Sequence, residues 1–245
     1  NSIITANGEN NSIDFNSYDG LAVSSDLYGV NVDLQNLSGN IFSIKARDEN
    51  DSWFYGTKLT GFYTNGSDYS AINNNFTLTL GKYEFSQFNG ITGIKLFNGQ
   101  SLKQNTVKLN NVQLKGYLIG CEGSSLTEAI GNELIIDSGV YSTVSYSTAN
   151  TGIYGILLSL KQDEASQAVS NKVTINNGSF DVSEISVLNF DTEAKKQKIE
   201  NNILTINDGQ FNHEGTSIYS IKGNVDVNAK HNGVIINGGI FNTTT

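Results

Sequence analysis

The sequence predicts an all-β chain wound as a parallel β-helix of about eight rungs. Three observations predict it. A ten-residue phrase returns about every 30 residues, its spacing scatters, and the composition favours strands over helices.

The phrase reads Asn, any residue, apolar, polar, apolar, Asn-like, any residue, Gly, any residue, aromatic. Clear copies are NELIIDSGVY from Asn132, NKVTINNGSF from Asn171, NILTINDGQF from Asn202 and NGVIINGGIF from Asn232. Weaker copies are NNFTLTLGKY from Asn74 and NTVKLNNVQL from Asn105. NSIDFNSYDG from Asn11 and VNVDLQNLSG from Val30 are fainter. The starts at 11, 30, 74, 105, 132, 171, 202 and 232 give intervals of 19, 44, 31, 27, 39, 31 and 30. A helical solenoid holds its period more strictly. Stacked β-coils admit loops of different length between strands that still align.

Each phrase reads as a strand and a turn. Val173 and Ile175 alternate with Lys172 and Thr174, the period of two. Asn-Gly, Asp-Gly or Gly-Gly then bends the chain, because these residues accept positive φ cheaply. A second apolar burst follows in most repeats, among them Ile41–Ile44, Ile91–Phe97, Ile153–Leu158 and Ile185–Phe190. A chain of hairpins explains the alternation but not the return of one phrase. Stacking explains both and predicts ladders. Val32, Phe76, Val107, Leu134, Val173, Leu204 and Val234 form one inward ladder; Leu34, Leu78, Leu109, Ile136, Ile175, Ile206 and Ile236 form a second. Tyr83, Tyr141, Phe180, Phe211 and Phe241 form an aromatic row. Asn16, Gln35, Thr79, Asn110, Asp137, Asn176, Asn207 and Asn237 form a polar ladder whose amides bond from rung to rung.

The 245 residues (26.5 kDa) read as one domain, 1–245, a piece of a longer rod. With 15 basic and 24 acidic side chains the net charge is −9, which argues against nucleic acid and anionic membranes as partners. Charged residues make up only 16%, and small polar residues fill the deficit, with 33 Asn and 25 Gly. There is no Pro and no Met, and the missing Met reads as a processed or excised chain. Cys121 is alone, so no internal disulfide forms; GYLIGCEG reads as its apolar burial site. No apolar run approaches the length of a membrane span, and no signal peptide opens the chain.

Departures from the repeat are where function is sought. Loop insertions are expected near 46–57, 159–170 and 192–201, the last two with helix-prone composition. The first holds the only Trp, the only Arg and the acids Asp48, Glu49 and Asp51. Trp53, Tyr55 and Arg47 are therefore the candidate ligand-binding residues, with Phe54 completing a possible aromatic platform. The competing account of Trp53 is core filling, and that of the acids is a solvated loop; no metal-ligand spacing appears. No catalytic constellation stands out. His213 and His231 lack a nucleophile nearby, and Asp137 and Asp208 sit where turn Asn residues stand elsewhere. No cofactor is implied.

The phrases NKVTINNGSF, NILTINDGQF and NGVIINGGIF resemble repeats in passenger domains of Gram-negative autotransporters. The resemblance runs from Asn74 to Phe241 and weakly over the first 70 residues. It implies a right-handed parallel β-helix held at the cell surface by a C-terminal outer-membrane barrel outside this chain. It implies adhesion to a host or bacterial surface protein or glycan, with self-association a further outcome. A polysaccharide-active enzyme on the same fold, marked by two acids on neighbouring rungs of one groove, is the alternative; a non-binding spacer rod is the third reading.

Overall fold

A computed structural model describes residues 2–4, 8–18, 20–22, 26–47, 53–56, 58–85, 89–142, 152–161, 166–190, 194–195, 197–213, 216–223, 225–226 and 229–242. Among them there are strands and no helix, and every strand pairing is parallel. Successive strands enter four stacked sheets in turn. The phrase sheet has eight strands, from Ser12–Tyr18 through Thr106–Asn110 to Gly233–Ile236. The aromatic sheet has eight, from Gly20–Ala22 through Lys82–Phe85 to Ile240–Phe241. The long sheet has eight, including Leu27–Asn31, Leu59–Asn65, Gly90–Phe97, Tyr117–Leu126, Gly152–Leu160, Glu184–Phe190 and Ser217–Lys222. The short sheet has seven two- or three-residue strands, from Leu37–Ser38 to Ala229–Lys230. The fold is a parallel β-solenoid, and about eight rungs describes it approximately.

The register confirms most of the ladders and corrects their first members. The first inward ladder is Ile13, Phe42, Phe76, Val107, Leu134, Val173, Leu204 and Val234. The second continues Phe15, Ile44, Leu78, Leu109, Ile136, Ile175, Ile206 and Ile236. Val32 and Leu34 belong to neither. Leu34 sits at positive φ with 58% of its surface exposed, a corner rather than a strand. The second phrase starts at Asn40, in NIFSIKA, whose IFSI reads from sequence as a secondary burst. Its distances to Asn11 and Asn74 are 29 and 34 residues, so the apparent 44-residue gap disappears.

The amide ladder also moves. Its buried form runs along the first Asn of each phrase: Asn11, Asn40, Asn74, Asn105, Asn132, Asn171, Asn202 and Asn232. Each side-chain Nδ2 from Asn11 to Asn202 donates to Oδ1 of the next at 2.7–3.0 Å. The same Oδ1 atoms accept the preceding backbone N–H, and several Nδ2 groups also reach a short-sheet carbonyl. The ladder expected after the strand exists in its later half: Asn176 donates to Asp137, Asn207 to Asn176 and Asn237 to Asn207 at 2.8–2.9 Å. Gln35 is not in that row.

The aromatic row gains Phe54 and is interrupted by Leu114. Tyr141, Phe180, Phe211 and Phe241 stack with ring centroids 4.6–5.1 Å apart. The three expected insertions shrink. Trp53–Gly56, Ser159–Leu160 and Gln167–Val169 lie in sheet strands, as do Ala194–Lys195 and Lys198–Glu200. Residues 48–52, 57, 162–165, 191–193 and 196 lie outside the described residues.

Candidate functional site

The long sheet carries a row of inward-facing glycines. A glycine column, Gly29, Gly61, Gly93, Gly120 and Gly155, runs up its middle and faces the phrase sheet. A Cβ on Gly29, Gly61 or Gly93 would fall 2.2–2.8 Å from the Phe42, Phe76 or Val107 side chain. The residue after each glycine (Val30, Phe62, Ile94, Cys121, Ile156) also points into the main core. Two successive inward positions break the alternation of a strand, so the sheet bends there.

The bend folds the outer face inward. Three outward columns flank it by register. One holds Asp26, Lys58, Tyr117 and Glu184. The second holds Tyr28, Thr60, Thr92, Ile119, Tyr154, Ser186 and Tyr219. The third holds Asn31, Tyr63, Lys95, Glu122, Leu157, Asn189 and Lys222. Glu184 and Lys222 stand five positions apart along the strand direction, about 16 Å in a flat sheet. Their side chains nevertheless form an ion pair. Tyr28 and Tyr63, from the second and third columns, meet edge to face at 5.9 Å. Tyr117, Ile119, Tyr154 and Leu157 form a buried apolar cluster separate from the main core, at mid-length on this face. The outer face is therefore a groove parallel to the rod, open toward Tyr28 and Tyr63 and toward Tyr219, and filled by apolar side chains between them.

Its electrostatics are quiet. Lys95 pairs with Glu122, and Lys222 with Glu184. Tyr28 Oη donates to Asp26 Oδ2 at 3.3 Å. Burial and then Asp26 raise the Tyr28 phenol above its ordinary value. Burial pushes Tyr117 up to about 12, Glu122 adds to that, and Thr92 and Lys95 pull the other way. Both phenols stay protonated as neutral donors at physiological pH. In the second column the hydroxyls of Thr60 and Ser186 are fully buried and have no hydrogen-bond partner among the described residues. An orphaned buried hydroxyl costs about 1–3 kcal/mol. Two in one column leave the floor of the groove short of hydrogen-bond partners. The acids of the groove, Asp26, Glu122 and Glu184, occupy non-adjacent rungs. Among the described residues, no three His, Cys, Asp or Glu side chains converge as a metal site.

The residues expected from sequence lie elsewhere. Tyr55 is half exposed on the outer face of the aromatic sheet, opposite Glu84. Phe54 is buried in the core row, so the three consecutive aromatics do not form one platform. The backbone of Trp53 pairs with Gly20 and Lys82; its side chain lies outside the described residues. Arg47 is exposed at the bend after Ile41–Ala46. Next to Tyr55 a shallow depression of about 150 Å³ is lined by Lys82, Glu84, Gln113, Lys115, Val140 and Ser142. His213 Nδ1 contacts Asp181 Oδ1 at 2.9 Å on the surface. His231 sits at a positive-φ corner before Asn232, which explains it without chemistry. Cys121 is buried, and its thiol pKa is raised by burial. The groove was missed because its tyrosines occupy different columns. Only the register brings them to one face.

Comparison with protein-family models, with curated proteins and with solved structures gives no match for this chain.

Proposed function

We propose that this chain is a surface-exposed adhesive module, a passenger segment of an autotransporter, that binds ligands on host or bacterial cell surfaces. The observation that carries the reading is the long-sheet groove, with tyrosines at both open ends and orphaned hydroxyls on its floor. A plain spacer needs no such face. The repeat phrases, the single Cys and the low charge suit a chain that crosses a membrane unfolded and folds rung by rung afterwards. The enzyme reading lacks the adjacent-rung acid pair it requires among the described groove residues. The test is binding of the labelled protein to epithelial cells and to bacteria. Saturable binding weakened at least fivefold by Tyr28→Ala with Tyr63→Ala supports the groove. Binding that only Trp53→Ala weakens moves the site to the aromatic sheet, and no binding at micromolar concentration leaves a spacer.

A further inference from the structure

We infer that the groove takes an uncharged, hydroxyl-rich polymer, a neutral polysaccharide laid along the rod axis. This rests on the groove being the binding face. Its occupied end is the open one at Asp26, Tyr28, Asn31, Tyr63, Lys95 and Glu122.

Four observations select this chemistry. First, the fixed charges at this end sum to zero: Lys95 is paired with Glu122 inside the groove, and Asp26 and Lys58, of opposite sign, stand on neighbouring rungs of one column. A polyanion or polycation would have to break that pair and desolvate one partner without compensation. Second, the half-buried Tyr28 and Tyr63 rings offer apolar faces, and their phenols, with Asn31, offer neutral hydrogen-bond groups. Sugars present both kinds of surface. An apolar peptide would leave the polar groups unpaired. Third, Thr60 lies beside Tyr28 in the second column and three residues before Tyr63, and its hydroxyl is buried without a partner among the described residues. An incoming hydroxyl, directly or through a water, completes it. Fourth, the lining columns run from rung to rung, so a ligand that repeats along the axis meets equivalent positions successively. The buried cluster at Tyr117, Ile119, Tyr154 and Leu157 closes the track and sets its length at a few sugar units.

The experiment is calorimetric titration of the full chain with cello- and malto-oligosaccharides of two to six units. Oligogalacturonate and chitosan oligomers serve as anionic and cationic probes. The expected result is binding by one neutral series, tightening with length and levelling off by about four units. The affinity stays within twofold between 50 and 300 mM salt, as a neutral ligand requires. Thr60→Val should weaken binding at least threefold while leaving the melting temperature unchanged or higher, because it removes an orphaned hydroxyl. A purely structural hydroxyl would not divide the two readouts. Tighter, salt-sensitive binding of either charged oligomer overturns the inference. So does neutral binding indifferent to Thr60→Val and Tyr63→Ala. If no oligosaccharide binds but cells are bound through Tyr28 and Tyr63, the adhesive reading stands and the polysaccharide falls. If cells are not bound either, both fall.

Discussion

At the scale of single residues the buried asparagines set the stability of the rod. Asn132 Oδ1 accepts from the Asn105 backbone N–H at 3.2 Å and from Asn105 Nδ2 at 2.8 Å. Its own Nδ2 donates to Leu102 O at 2.9 Å and Asn171 Oδ1 at 3.0 Å. Asn132→Ala leaves a buried N–H and a buried carbonyl with fewer partners, a loss on the order of 3 kcal/mol. Urea unfolding should show it as a lower midpoint at unchanged slope. Asn207→Ala, in the exposed post-strand ladder, should cost less than about 1 kcal/mol, because water replaces its bonds. The sequence alone points to the wrong one of these ladders. The first position is Asn in all eight rungs and the post-strand position in five, and burial separates the obligatory amide from the optional one.

At the scale of elements the bend of the long sheet is the most constrained feature. A Cβ on Gly93 would stand 2.3 Å from Val107 Cγ2 and 2.6 Å from the Gly120 carbonyl oxygen. Gly93→Ala should destabilise by at least about 1–3 kcal/mol, the usual cost of overpacking, and adding Val107→Ala should recover only part of it because the backbone contact remains. Thermal unfolding of the single and double variants decides this. On the short sheet, Lys103 holds the Glu128 carboxyl below its ordinary pKa, against the desolvation that would raise it; Gln167 and Ser101 add to the lowering. A depressed folded pKa gives stability that is present above the unfolded value and lost as pH falls through the folded one. Acid unfolding of Glu128→Gln should therefore be flatter below about pH 4.3 than that of the parent. Strands with strict alternation, such as Lys172–Ile175, were legible in the sequence. The corners were less so. The residue before each ladder Asn has positive φ throughout, yet it is Asn10, Gly39, Asn73, Gln104, Gly131, Ser170, Asn201 or His231. Backbone geometry recurs there without residue identity, which is why the start at Asn40 is hidden and the copy at Val30 misleads.

At the scale of the whole molecule, a rod of stacked coils has stability that is a sum over neighbouring rungs. Removing one complete turn should therefore shorten the rod without unfolding it. The cut that tests this is deletion of residues 171–201, the 31 residues between equivalent ladder positions. Ser170 and Asn201 share the same positive-φ corner, so Ser170 can lead directly into Asn202 with no change of backbone geometry. The register then sets Leu134 on Leu204, Ile136 on Ile206 and Tyr141 on Phe211. Apolar meets apolar in each ladder, although the Glu184–Lys222 pair is lost. The shortened chain should keep its β circular-dichroism spectrum and unfold cooperatively at a lower midpoint. Deleting only residues 171–185 joins the same corner to the middle of a long-sheet strand. That puts Ser186 where a ladder Asn is required, so residues 186–201 must loop out before Asn202 can stack on the Asn132 rung. This chain should lose much more stability than the full-turn deletion. If the full-turn deletion loses as much stability as the half-turn one, the rungs are not independent units and stability belongs to the rod as a whole.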